Sequence, residues 1–155
     1  EDIPLDDESI DIVMMFKSFH HVPIELMDKA LQEVKRILKS GGLAYVSEPI
    51  FDGDFNAVLR LFHDEEKVRK AAFNALERAI EDESFILLDE VFFKTPIEFD
   101  NFEDYEHKVI NVTHTNHRLS ADLLQTVKQQ FSLNMVDDGA KFLINIRVDL
   151  LQKPS

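Results

Sequence analysis

Two clusters of polar side chains follow apolar runs directly, and their residue types could do chemistry. Four polar residues come after the run Ile12–Phe16: Lys17, Ser18, His20 and His21. An imidazole gains and loses a proton near neutral pH, so His21 is a candidate general base, although the sequence assigns it no partner carboxylate. Glu48 follows the run Leu43–Val46 and is a candidate catalytic residue that contacts substrate. In the alternative interpretation, the two histidines only cap the loop and the helix start.

A strand, a helix and a second strand must position these residues. Ile12–Phe16 is an unbroken apolar run, as in a strand buried on both faces of a parallel sheet. Apolar residues recur every three or four positions over Ile24–Leu38, which predicts an amphipathic helix that Gly41 or Gly42 ends. Leu43–Val46 is the second strand, so the unit is βαβ with parallel strands. Ligands bind at the carboxyl ends of such strands, which is where the polar residues lie.

The middle of the chain has helical patterns on either side of one stretch whose secondary structure the sequence does not decide. The spacing of apolar residues predicts helices over 55–62 and 68–80. Phe85–Phe93 is apolar and aromatic, and Pro96 is expected to end this stretch. Asp100 is expected to cap a helix over Phe102–Val112, with Glu103 completing a capping-box pattern.

The last third of the chain carries clearer signals. Ser120 is a good N-cap, and the apolar stripe that follows predicts a helix to Phe131. Leu133–Val136 and Phe142–Leu151 are predicted strands, joined by a turn over residues 137–140. This pattern predicts an antiparallel hairpin.

Three segments together resemble the class I S-adenosylmethionine-dependent methyltransferases. They are Ile3–Val13 (IPLDDESIDIV), Phe19–Val22 (FHHV) and Glu33–Gly42 (EVKRILKSGG). In that family a Leu-Pro-Phe-like turn and an Asp-x-Val strand are followed by a helix ending in Arg-x-Leu-Lys-Pro-Gly-Gly. Ser40 stands where proline is usual. The resemblance covers Ile3 to Pro49 and extends more loosely to the end of the chain.

The resemblance implies an α/β fold with a Rossmann-like class I methyltransferase sheet, and S-adenosylmethionine as cofactor. It also implies that the backbone of Phe16, Lys17 and Ser18 passes beside the methionine part of the cofactor, while His21 faces a substrate cleft. The family's glycine-rich turn and ribose-binding acid lie on earlier strands, and no Gly-x-Gly-x-Gly occurs in these 155 residues. We therefore expect a fragment that lacks the first strands and binds the cofactor weakly or not at all by itself.

On this interpretation the chain is one partial methyltransferase domain, 1–155. It comprises a βαβ core over 1–50, a mainly helical insertion or lid over 51–118, and a helix plus hairpin over 119–155. The insertion is expected to lie over the carboxyl ends of the first two strands. It would cover the active site and select the substrate, as the resemblance implies.

Composition narrows the classes of partner. The net charge of −13 disfavours nucleic acid and anionic membrane surfaces, and no apolar run is long enough to cross a bilayer. The chain has no cysteine, which excludes disulfides and thiolate metal sites and is consistent with a cytoplasmic protein.

Two further patterns have competing interpretations. Aromatic residues are frequent over Phe51–Tyr105 and could line an apolar substrate pocket, but helical packing explains them better. His114 and His117 have the spacing of a metal pair, yet they lack a cysteine or an assigned carboxylate, so no metal site is expected.

The leading functional hypothesis is methyl transfer to a small-molecule oxygen, nitrogen or carbon nucleophile. The alternative is a non-catalytic binding or interaction module on the same fold, and a nicotinamide-dependent enzyme is a third interpretation. The resemblance also places the missing first strand beside residues 11–16. We therefore expect this exposed edge to form a homodimer.

Overall fold

The computed structural model describes residues 2–112 and 118–155. The chain divides into two compact units. The first runs to Ile50 and takes up again over Glu66–Phe93 and Ile146–Ser155, and the second consists of Phe51–Glu65 and Lys94–Asn145.

The first unit begins with the predicted βαβ unit. Strand β1 is Ile10–Phe16, helix α1 is Met27–Ile37 and strand β2 is Leu38–Pro49, with short 3-10 turns at Phe19–His21 and Ile24–Leu26 between β1 and α1. The two strands pair in parallel, with Ile12 beside Leu43 and Phe16 beside Ser47. The predicted parallel pair is confirmed.

The glycine pair does not end the helix, contrary to the sequence-based prediction. Helix α1 ends at Ile37, and Leu38 is already extended. Gly41 lies inside β2 with φ +74°, where the pairing with β1 shifts register between Ile10 and Ile12. A Cβ on Gly42 would lie 2.9 Å from the carbonyl oxygen of Lys39. The glycines therefore serve an irregularity within the strand, where the backbone approaches itself closely.

The remaining elements of the chain are, in order, helix α2 Asp54–Leu59, helix α3 Glu66–Glu81, strand β3 Ile86–Phe99, helix α4 Phe102–Tyr105, a π-helical turn Glu106–Ile110, helix α5 Ala121–Ser132, strand β4 Met135–Val136 and strand β5 Gly139–Gln152. The strand order of the sheet is β1-β2-β5-β3, and β4 pairs with β5. β5 runs antiparallel to β2, with Ala44 beside Leu151. The predicted hairpin is confirmed, with Met135 beside Ala140.

The core of the first unit lies on one face of the sheet. Helices α1 and α3 contact each other, and α3 also contacts the turn Phe19–His21. Buried side chains from both helices pack with those of the strands: Met27, Leu31, Val34, Ala72, Leu76, Ala44, Val46 and Leu151. The opposite face carries exposed apolar residues of β1, namely Ile12, Met14 and Phe16.

The second unit has a separate, aromatic core. Rings from α2, β3, α4, α5 and β5 meet in it: Phe55, Phe99, Tyr105, Phe131 and Phe142. Phe131 contacts four other rings at centroid distances of 5.0 to 6.1 Å. Phe55, Phe99 and Tyr105 belong to the aromatic residues of Phe51–Tyr105, and the packing interpretation is confirmed for these three.

Two local predictions fail in this part of the chain. Phe85–Phe93, whose type the sequence left open, belongs mostly to a strand that continues to Phe99, so Pro96 does not end this stretch as expected. β3 lies at the end of the strand order, and edge strands are the places in a sheet where proline is tolerated. Asn101, and not Asp100, caps α4 by accepting the N–H of Asp104 at 2.9 Å.

Among the described helices, none has the length and apolar character that a bilayer crossing requires.

Candidate functional site

Glu48 organises the loop that follows β1. It lies at the carboxyl end of β2 and is 1% exposed. One carboxylate oxygen accepts the N–H of Ser18 at 2.9 Å and that of Phe19 at 2.7 Å, and the other is bonded to Nδ1 of His20. Because both strands end at the same edge, the loop after β1 reaches the carboxylate directly. Glu48 thus closes the turn around a buried negative charge.

Lys17 allows the chain to leave β1 in this direction. Its φ is +49°, a left-handed conformation that is uncommon for a lysine. Its N–H donates to the carbonyl of Ser47 at 2.7 Å, which continues the β1–β2 ladder by one residue. The next two amides can then face Glu48.

The imidazole of His20 is held by this arrangement. His20 is 5% exposed, and its ring centroid lies 4.2 Å from that of the exposed His21. A proton on Nδ1 that is donated to Glu48 leaves Nε2 of a neutral imidazole as an acceptor. In enzymes, a carboxylate that orients a histidine in this way prepares the histidine to act as a general base. The sequence did not assign this carboxylate partner.

An ion pair between Arg147 and Asp149 lies beside the His20–Glu48 hydrogen bond. Arg147 of β5 stands opposite Glu48 in the β2–β5 pairing, and its guanidinium binds Asp149 through Nε at 3.0 Å and Nη2 at 2.8 Å. Nη2 also lies 2.9 Å from Glu90, and the guanidinium carbon lies 5.0 Å from the ring centre of Phe73. This end of the sheet therefore combines three carboxylates, those of Glu48, Asp149 and Glu90, with the two basic groups of His20 and Arg147.

Burial dominates the titration of Asp149. Asp149 is completely buried, which raises the pKa of its carboxyl, while the hydrogen bonds and charge of Arg147 oppose the rise. Burial lowers the pKa of Arg147, but Asp149, Glu90 and Glu77 together outweigh it and raise the pKa above its usual value. Arg147 therefore stays charged and keeps Asp149 partnered.

The residues predicted to line the cofactor lie at this same edge. Phe16 is 58% exposed, with its ring centroid 5.4 Å from that of Tyr45. Lys17 and Ser18 are exposed, but their backbone N–H groups are donated inside the protein, as described above. The structure thus brings Ser18 and Glu48 together and leaves His21 exposed beside His20. The pair His114 and His117 lies outside the described residues.

Sequence reasoning missed three participants. His20 was treated only as a loop residue, because its contact with Glu48 spans 28 positions of the chain. Arg147 and Asp149 carry a signal that was available: two opposite charges, two positions apart, interrupt the otherwise apolar end of β5. Such a spacing places both on one face of a strand.

Comparisons with known proteins bear on the family of the first residues and on the fold. Residues 1–46 match the family model described as a methyltransferase domain. A protein from Bacillus halodurans assigned as a methyltransferase is 19% identical, with a TM-score of 0.63 over 99% of this chain and 74% of that one. The YcgJ protein from Bacillus subtilis is 18% identical, with a TM-score of 0.61 over 99% of this chain and 68% of that one.

The same fold also occurs with another activity. The cyclase SpnF is 14% identical, with a TM-score of 0.50 over 99% of this chain and 53% of its own. A search for related proteins of curated function finds no match. At such low identities the solved structures support the fold alone. The family model supports a likeness to a methyltransferase domain over residues 1–46. The resemblance to the class I S-adenosylmethionine-dependent methyltransferases is confirmed, and the chain has their α/β, Rossmann-like fold.

Proposed function

We propose that this chain serves S-adenosylmethionine-dependent methyl transfer to a small-molecule oxygen, nitrogen or carbon nucleophile. The observation that carries the proposal is the buried His20–Glu48 pair at the carboxyl ends of β1 and β2, in the segment that meets the methyltransferase family model or directly follows it. The cofactor, when bound, supplies an electrophilic methyl group on a sulfonium.

The residues of this chain fit one side of such a cofactor. Phe16 offers an exposed aromatic ring beside Tyr45, and Lys17 and Ser18 expose their side chains at the same edge. Their amides are not available to the cofactor, because Ser47 and Glu48 accept them. The sequence contains no Gly-x-Gly-x-Gly turn. We therefore propose that the 155 residues alone bind the cofactor weakly and show no transfer activity.

In the proposed reaction His20 acts as the base. Glu48 orients the imidazole through Nδ1, and the ring takes up the proton of a nucleophile that must lose one. His21 lies against the same ring and is the exposed member of the pair. A substrate would meet His21 first, which fits the contact with substrate expected of it from the sequence.

A second candidate is a non-catalytic binding or interaction module. It is favoured by the complete use of Glu48, whose two oxygens already take three donors from the turn. A carboxylate satisfied in this way stabilises a loop whether or not chemistry occurs there. This candidate predicts no interaction with the cofactor at the edge.

Titration of the isotope-labelled chain with S-adenosylhomocysteine, followed by NMR, tests the proposal. We expect saturable shifts of the Phe16, Lys17 and Ser18 amides, with a dissociation constant weaker than about 100 μM. NAD at the same concentration should leave them unchanged, which would exclude the nicotinamide interpretation. No shift up to about 10 mM S-adenosylhomocysteine would overturn the proposal in favour of a binding module. Affinity in the low micromolar range would show that the present contacts suffice.

A further inference from the structure

The second unit contains a cavity of about 430 Å³ whose walls are formed by the turn 51–53, by α2 and by α5. Asn56, Ala57 and Arg60 line it from α2 and its end, and Gln130 lines it from α5. All of these residues belong to the second unit. The volume lies in the range of about 300–1,000 Å³ that is typical of sites for small molecules. The cavity is therefore large enough for a small ligand, and none of its lining residues has a role in the proposed methyl transfer.

The turn beside the cavity has a fixed conformation. Nδ2 of Asn56, which is 2% exposed, donates to the carbonyl oxygen of Asp52 at 2.7 Å. Nδ2 of Asn145 donates to one carboxylate oxygen of Asp52 at 3.2 Å. Gly53 has φ +85°, a left-handed conformation that glycine adopts without steric cost. Because side chains and backbone both hold this turn, the cavity is formed before any ligand enters it.

Two residues of opposite charge line the cavity and are not paired with each other. Asp52 and Arg60 are both exposed. The guanidinium carbon of Arg60 lies 5.1 Å from the ring centre of Phe51, which also lines the cavity, so the charge is held at this wall. Within the described residues, Asp52 forms no ion pair, and its second carboxylate oxygen accepts no hydrogen bond. A ligand therefore meets a fixed cation and an available carboxylate in one cavity.

We propose that this cavity binds a small zwitterion, namely an α-amino acid. The guanidinium of Arg60 donates two N–H groups to the carboxylate of the ligand, and its five donors allow it to keep its other contacts. Asp52 accepts the ammonium group. Gln130 adds an amide that donates and accepts, and Phe51 and Ala57 add apolar surface for the side chain of the amino acid. Binding of this kind depends neither on methyl transfer nor on a cofactor.

The balance of charge favours a zwitterion over an anion or a cation. One positive and one negative side chain line the cavity, so their charges sum to zero. An anion at Arg60 would be repelled by Asp52, and a cation at Asp52 would be repelled by Arg60. An α-amino acid carries both charges and leaves neither side chain without a partner. Specificity of this kind arises from rejection of the singly charged alternatives as well as from attraction.

Titration of the isotope-labelled chain with L-leucine, without cofactor and followed by NMR, tests the proposal. We expect saturable shifts of the Gly53, Ala57 and Arg60 amides, with a dissociation constant of about 1 mM. Isocaproate is leucine without the ammonium group, and isoamylamine is leucine without the carboxylate. Each should bind about tenfold more weakly than L-leucine. No shift up to about 20 mM L-leucine, or equal binding of either analogue, would overturn the proposal.

Substitution of the two charged residues tests the role of each. Arg60→Gln removes the partner of the carboxylate, so the preference for L-leucine over isoamylamine should fall from about tenfold to about twofold or less. A partly unfolded variant would bind both ligands less and leave this ratio unchanged. Asp52→Asn keeps an acceptor for Asn145 and should reduce the preference over isocaproate in the same way. A preference that stays unchanged in either variant would overturn the proposal.

The matched control is Lys128→Gln, at an exposed position of α5 that does not line the cavity. It removes the same charge from the same unit and should leave the affinity for L-leucine within about twofold. A loss in the control equal to that in Arg60→Gln would show that net charge alone governs binding, and it would overturn the assignment of Arg60.

Discussion

The two units of this protein are stabilised by different kinds of interior. Beneath α3, the first unit buries charged and polar groups in fixed pairs, His20 with Glu48 and Arg147 with Asp149. The second unit buries a set of aromatic rings, with Phe131 in contact with four of them. Both units have an apolar core. They differ in the other buried groups, which are polar and charged in the first unit and aromatic in the second.

The two kinds of interior contribute differently to fold stability and to function. The hydrophobic effect that drives ring packing is non-directional, and the geometric preferences of aromatic pairs add only about 0.5–1.5 kcal/mol each, so this packing mainly stabilises the fold. Buried charges demand exact partners, because an unpaired one is costly in a low dielectric. Buried pairs are therefore informative about function, and here they coincide with the edge of the sheet where such folds bind ligands.

The largest expected effect is on the aromatic core. Phe131→Ala should lower the free energy of unfolding by about 3–5 kcal/mol, since the site is fully buried and its neighbours cannot close the cavity. Chemical denaturation measures this loss. The matched control is Phe92→Ala, whose ring is 58% exposed and whose removal should cost about 0.5 kcal/mol. Equal losses for the two variants would contradict the aromatic core as described.

A smaller and more local effect is expected at the charged site. Glu48→Gln keeps the shape but loses the charge that Ser18, Phe19 and His20 face, and should cost about 1.5–3 kcal/mol. Hydrogen exchange should accelerate first at the Ser18 and Phe19 amides.

The exposed residue Glu25 provides the control for this substitution. Glu25→Gln should change stability by no more than about 0.5 kcal/mol. If Glu48→Gln behaved like the control, the carboxylate would not be holding the turn, and the contrast between the units would lose its basis.

The smallest effect is expected from Tyr105. It is the polar exception in the second unit: its hydroxyl is buried and has no hydrogen-bond partner among the described residues, and burial raises its pKa. Tyr105→Phe removes this unsatisfied group and should leave stability unchanged or raise it by about 1 kcal/mol. A thermal melt of the two proteins compares them directly. A loss of more than about 1 kcal/mol would mean that the hydroxyl is bonded in solution.

The sequence predicted correctly those elements that depend on residues close together in the chain. The apolar run of β1, the periodicity of α1 and the Ser120 cap of α5 each act within a few positions, and the structure has all three. The cap of α4 was misplaced by one residue, because Asp100 and Asn101 are both good caps and only backbone geometry chooses between them.

The elements that the sequence could not supply depend on distant partners. Phe85–Phe93 has no period that distinguishes strand from helix, and its strand state follows from a place in the sheet beside β5. Glu48 looked like a group for substrate, but the turn around Ser18 already holds it. Its partner His20 is set by the parallel register of β1 and β2, which brings the two strand ends together.

The position of β5 in the sheet bears on the order of events during synthesis. β5 is the last strand of the 155 residues to leave the ribosome, yet it lies between β2 and β3 in the finished sheet. Before β5 is synthesised, β1 is the only described strand that can pair with β2. The backbone hydrogen bonds of Gly41 and Gly42 with Lys153 cannot form until then. Contacts across more than 110 positions raise the contact order and slow closure of the sheet. The nascent chain must therefore carry an open β-sheet until translation of this region is complete, a period in which chaperones have most to protect.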